Sequence, residues 1–185
     1  MSLQHALLGF LNYQSMTGYE IKQFMDTSTQ NFWHAKQSQI YTTLKKLEAN
    51  ELVDSIVEAQ EGRPDRRVYA ITAAGQAELS NWLAQPLTVM DPKKEALLLK
   101  LFFSAQLDKQ AVLTQLRLQR DLHQQQRNHY ATATKSMIER SAAAMPELAT
   151  DTLFWDATRR FGVLYEEAYV RWLDETIVMV EEQFQ

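Results

Sequence analysis

Cysteine is missing from all 185 residues. Its absence excludes disulfides, thiolate metal sites and cysteine nucleophiles, and it suits a reducing cytoplasm, the expected location. Glycine and proline are scarce, at five and four, which leaves little turn chemistry for an all-β fold and makes a mainly α chain the expectation. No stretch approaches ~18 uninterrupted apolar residues, so no membrane span is expected. The opening Met1-Ser2-Leu3-Gln4-His5 lacks the basic region of a secretory signal. His5, His34, His123 and His129 show no metal-ligand spacing, and there is neither a Gly-x-Ser-x-Gly elbow nor a glycine-rich phosphate loop. No enzyme activity, metal or cofactor is therefore expected.

Excess positive charge is missing too. The net charge of −4 argues against a nucleic-acid partner unless the basic residues are gathered in one place. They are gathered. Residues 1–84 carry seven Lys/Arg against nine Asp/Glu, but Lys36, Lys45 and Lys46 share one short segment and Arg63, Arg66 and Arg67 another. Clusters of this kind make a local positive face on an acidic chain.

The chain reads as a succession of helices broken once by strands. Ala6 to Leu11 gives a short first helix. Thr17 and Glu20 have capping-box spacing and open a second one. A third, over about 36–49, places Ile40, Leu44 and Leu47 on one narrow apolar stripe and leaves Gln39, Thr42, Thr43, Lys45 and Lys46 on the opposite face. Val53–Val57 and Arg67–Ile71 are β-branched or aromatic enough for two strands around a Gly/Pro-punctuated basic loop. Thr72 can cap a fourth helix through Leu79, Trp82 and Leu83.

Helix, helix, helix, basic hairpin, helix is the order of a winged helix-turn-helix with a two-stranded wing. In that arrangement the third helix turns its polar face to a major groove. Gln39 suits an adenine edge, Thr42 a thymine methyl or a phosphate, and Lys36, Lys45 and Lys46 supply positive charge for phosphates. Arg63, Arg66 and Arg67 at the hairpin tip would reach the neighbouring backbone or minor groove.

These blocks resemble the PadR family of regulators. The resemblance is carried by Leu7-Leu8-Gly9-Phe10-Leu11, Thr17-Gly18-Tyr19-Glu20-Ile21, Ser38-Gln39-Ile40-Tyr41 through Glu48, and Gly62 through Thr72, then Gly75 with Leu79, Trp82 and Leu83. Lys94-Glu95 with Leu99 to Phe103, and Tyr169 to Leu173, are similar to the longer, phenolic-acid-responsive members. The resemblance implies a dimeric DNA-binding protein, often a repressor released from its operator by a small aromatic molecule. It places Ser38, Gln39, Tyr41, Thr42 and Lys45 on the recognition helix. Thr42 stands where many members have proline.

Prolines at 86 and 92 mark a linker over 85–92, separating a DNA-binding domain at 1–84 from an all-helical domain at 93–185. Asp91 with Pro92 is expected to start the next helix. A long helix is expected from Asp108 to about Ala144, and a last one over roughly 151–183. In the last helix Val163, Val170, Leu173, Ile177 and Val180 form a heptad-like stripe expected to pair two copies. Phe154, Phe161, Tyr165, Ala168 and Trp172 form a second stripe beside it. Trp33, Phe102, Phe103, Phe154 and Trp155 could wall an apolar effector site between the halves, with Arg159 or Arg160 meeting a carboxylate. The alternative is an activator on the same scaffold with no small-molecule effector.

Overall fold

The computed structural model describes residues 2–29, 32–59, 65–90 and 94–184. The chain divides into two compact units, Met1–Asp91 and Pro92–Gln185.

The first unit runs α1 (Ser2–Tyr13), β1 (Met16–Thr17), α2 (Gly18–Ser28), α3 (Gln37–Ala49), β2 (Val53–Glu58), β3 (Arg66–Ile71) and α4 (Ala73–Ala84). Leu7, Leu8, Leu11, Ile21, Met25, Ile40, Leu44, Leu47 and Val53 are almost fully buried and form one core under the helices. Local signals place the helix starts. The Thr17 amide donates to Glu20 Oε2 at 2.8 Å while the Glu20 amide donates to Thr17 Oγ1 at 3.2 Å, a complete capping box. The Gly75 amide donates to Thr72 Oγ1 at 3.1 Å. α3 stops at Glu51, whose φ of 59° is left-handed, with the Leu52 amide closing back on the Leu47 carbonyl at 2.9 Å.

The sheet has three strands, in the order β1-β3-β2, and all pairs are antiparallel. The expected pair is therefore extended by a third strand. Met16 sits opposite Tyr69 and Thr17 opposite Val68. A two-residue strand has no alternation to read, and only its partner defines it.

The second unit contains α5 (Ala96–Phe102), α6 (Lys109–His129), a π-helical turn over Tyr130–Thr134, α7 (Lys135–Ala144) and α8 (Ala149–Gln183). The expected start at Asp91-Pro92 lies outside the described residues, and α5 begins after Glu95. Asp108 caps α6, accepting from the Ala111 amide at 2.9 Å. The expected helix from 108 to 144 is continuous except at the π turn, which adds one residue to its register. Leu116 and Tyr130, two seven-residue steps apart, are buried, but the next buried side chain is Ile138, eight residues further on.

Within the chain, part of the heptad-like stripe on α8 packs on α6. Leu173 and Val180 are buried against Val112, Leu113 and Leu116 of α6, with Ile177 and Phe184 packed alongside; Val170 is buried and Val163 half-buried. Heptad spacing specifies a facing helix but not the chain that supplies it. Here α6 supplies it. Ion pairs flank the seam, Arg127 to Glu167 at 2.8 Å and Arg120 to Asp174 at 2.5 Å. The His123 imidazole hydrogen-bonds the buried Glu166 carboxylate and stacks on Tyr169 with ring centres 3.8 Å apart. Among the described residues, no helix is long and apolar enough to cross a membrane.

Candidate nucleic-acid interface

α3 has two chemically distinct sides. Ile40 and Leu44 are 0% exposed and Leu47 1%, which fixes the helix on the core. Lys36, Ser38, Gln39, Tyr41, Thr42, Lys45 and Lys46 are all exposed. Local bonds order part of this polar face. The Lys36 amide donates to Gln39 Oε1 at 2.9 Å, so Gln39 caps the helix. Thr42 Oγ1 donates to the Ser38 carbonyl at 2.8 Å, which leaves its methyl group free to meet an apolar surface. The Tyr41 ring lies against Gly18 at the start of α2.

The arginines sit differently from the expectation. Arg63 lies outside the described residues. Arg66 and Arg67 belong to the paired part of β3, opposite Glu58 and Val57, and not to a hairpin tip. Neither is a free cation. Arg66 Nη2 donates to Glu20 Oε1 at 3.1 Å, and its Nε lies 3.7 Å from Glu58 Oε2. Arg67 Nη2 donates to both oxygens of Glu48, at 2.6 and 2.8 Å, and its Nε donates to Ser55 Oγ at 2.8 Å. Ser55 Oγ in turn donates to Glu48 Oε1 at 2.6 Å, closing a ring of three side chains.

These bonds leave an electrostatic signature. The Ser55 hydroxyl, then Arg67, holds the Glu48 carboxyl below its ordinary value. The Thr17 amide does the same for Glu20, helped by the Thr17 hydroxyl and Arg66. Burial pushes the Tyr69 phenol up. Pattern reading gave Glu20 a capping role only, and assigned no role to Glu48, Ser55 or Tyr69. Glu48 and Arg67 are nineteen positions apart, and only the turn from α3 into the sheet brings them together.

The residues expected to hold an effector are spread over both units. In the first unit Trp33 packs on the core, and its indole N–H is buried with no acceptor among the described residues. In the second, Phe102 and Phe154 are exposed, Trp155 is half-buried and Arg160 is exposed. Arg159 is committed locally. Its Nε donates to Asp156 Oδ1 at 2.6 Å, and its Nη1 reaches the Tyr130 carbonyl of the π turn at 3.3 Å. Among the described residues, no cluster of His, Asp and Glu could hold a metal ion.

Comparison with known proteins accounts for both units. The model described as "Transcriptional regulator PadR-like family" matches residues 7–81, and "Virulence activator alpha C-term" matches residues 93–181. The Mycobacterium tuberculosis protein named "Probable transcriptional regulator Rv1176c" is 33% identical over 192 residues, spanning 99% of this chain and 100% of that protein. The chain belongs to the PadR-like family of transcriptional regulators. Homologues of this PadR-like regulator are named for transcription control, not for enzyme activity.

The Bacillus subtilis "Negative transcriptional regulator PadR" is 25% identical over 182 residues, 97% of each chain. The structure of Bacillus subtilis PadR in complex with operator DNA has the same fold, with a TM-score of 0.83 at 23% identity over 97% of this chain and 98% of that one. The same protein in complex with p-coumaric acid matches with a TM-score of 0.75 at 23% identity over 98% and 100%.

Proposed function

We propose that this PadR-like regulator binds double-stranded operator DNA as a homodimer, represses the gene behind it, and is released by a small aromatic acid. One observation carries the DNA-binding part: a helix anchored by three buried side chains presents an unbroken polar, lysine-bearing face to solvent. Two copies would set one α3 each into major grooves about 34–36 Å apart. Gln39 and Thr42 are then the base readers, Ser38 and Tyr41 their neighbours, and Lys36, Lys45 and Lys46 the phosphate contacts.

The homodimer reading moves from the buried stripe to the apolar surface beside it. Leu153, Phe154, Phe161 and Leu164 of α8 are between 59% and 66% exposed, and an apolar helix face of that kind is closed most simply by a second copy. For the effector, the p-coumaric acid complex of Bacillus subtilis PadR supports an aromatic acid. Within the second unit, Phe102, Phe154, Trp155 and Arg160 are the side chains suited to such a molecule. The name of the Bacillus subtilis relative supports repression. The virulence-activator match of the second unit supports activation as the second reading.

A gel shift with duplex from upstream of its own gene, run at several salt concentrations, tests the central part. Lys45→Ala should weaken binding and reduce the slope of log affinity against log salt by about 0.9, the share of one phosphate contact. Binding that ignores both sequence and salt would reject the reading. Addition of p-coumaric acid to the same shift should free the DNA.

A further inference from the structure

Arg67 has the composition of a DNA contact and the geometry of something else. Its guanidinium makes three hydrogen bonds to Glu48 and Ser55, between 2.6 and 2.8 Å. Its other face lies over the Tyr69 ring at 5.5 Å. A phosphate reaching for this group would first have to displace a carboxylate held by charge-assisted hydrogen bonds. An arginine already neutralised by Glu48 also releases few counterions from DNA.

Glu48 occupies the last turn of α3, seven positions after Tyr41 and three after Lys45, so all three share one edge of the helix. Ser55 is on β2 and Arg67 on β3. The ring therefore joins the C-terminal end of the recognition helix to both strands of the wing. The residue before Arg67 repeats the device toward α2: Arg66 donates to Glu20, the capping-box carboxylate. Neighbouring residues on a strand point to opposite sides. Two consecutive arginines thus brace β3 to both helices of the helix-turn-helix.

We propose that Arg67 is a positioning residue for DNA recognition, which acts through Glu48 and Ser55 to fix the angle between α3 and the wing. The proposal rests on α3 being the base-reading element. It makes a counter-intuitive claim about Glu48. Removing an acidic group beside a DNA-binding surface should ordinarily tighten binding, because the repulsion from phosphates is relieved. If Glu48 sets geometry, its removal should weaken binding to the operator.

The test compares Arg67→Ala, Glu48→Gln, the double variant and Lys45→Ala in the full-length chain. Each is titrated with operator duplex and with unrelated duplex across a salt series, alongside a thermal unfolding curve. Arg67→Ala and Glu48→Gln should each lower operator affinity about ten-fold, as loss of a charged hydrogen-bonded pair does. The double variant should be no worse than either single one. Affinity for unrelated duplex and the salt slope should stay at wild-type values.

Glu48→Gln is close to isosteric, so it keeps the test informative should Arg67→Ala unfold. Tighter operator binding by Glu48→Gln, or a slope reduced by about one in Arg67→Ala, would overturn the proposal and make Arg67 a phosphate contact. So would a lowered unfolding midpoint with an unchanged ratio of operator to unrelated affinity, which would mark a brace with no role in reading. Lys45→Ala reports separately: an unchanged slope there rejects α3 as the interface, whatever the arginine variants do.

Discussion

A β-carbon on Gly18 would lie 2.6 Å from Cε1 of Tyr41. Glycine at the first position of α2 is therefore what lets Tyr41 of α3 lie against its neighbour. Gly75 plays the same part between α4 and the turn before β2, where a β-carbon would meet the Leu52 carbonyl oxygen at 2.1 Å. Alanine would gain helix propensity at either site, up to about 1 kcal/mol, but overpacking costs about 1–3 kcal/mol. A ring can swing aside and a backbone carbonyl cannot. Gly75→Ala should thus lower the denaturation midpoint more than Gly18→Ala, while Gly18→Ala should lose more operator affinity. Urea melts and gel shifts on the two variants check the ordering.

Glu51 pays a conformational penalty that glycine would not. Its left-handed backbone ends α3, and a side chain there costs roughly 1–2 kcal/mol. Part of the gain from glycine is lost to the greater freedom of the unfolded chain. Glu51→Gly should raise stability by on the order of 0.5–1 kcal/mol, seen as an upward shift of the chemical denaturation midpoint at constant slope.

The two faces of α8 should respond oppositely to substitution. Leu173 is 0% exposed, so Leu173→Ala should destabilise the second unit by about 2–5 kcal/mol. Phe161 is 59% exposed, and Phe161→Glu should change unit stability by no more than about 0.5 kcal/mol. If that face joins two copies, sedimentation velocity should show Phe161→Glu shifted to monomer.

Acid should weaken the first unit in a way that Glu48 controls. Its carboxyl is held below the ordinary value of 4.5, first by Ser55 and then by Arg67. The unfolded chain therefore binds this proton more readily than the folded one. The stabilisation is complete above the ordinary value and is lost as pH falls through the lowered one. Glu48→Gln should accordingly show a smaller drop in unfolding temperature between pH 7 and pH 3 than the wild type, measured by circular dichroism.

What could be read from the sequence was local. Thr17 with Glu20, Thr72 and Asp108 announce their helices because a cap is made by residues three apart. The exposed face of α3 was equally legible, since the spacing of Ile40, Leu44 and Leu47 dictates which side is left over. Pairings across the fold were not. Nothing in the arginine cluster announces that Arg66 and Arg67 are neutralised by Glu20 and Glu48, because charge clustering says nothing about distant carboxylates. The π turn at Tyr130–Thr134 was hidden for a related reason: a one-residue slip of register shows only once Ile138, eight residues after Tyr130, is found buried.

Thr17 is both the last residue of β1 and the cap of α2. A bend in the sheet cannot be absorbed at that joint, since any displacement of β3 carries the start of α2 with it. The reading head is in this sense a single casting. On the proposed DNA-binding role of α3, tolerance for variant operator sequences would come from rotations of side chains such as Gln39 and Lys45, not from flexing of the elements that carry them.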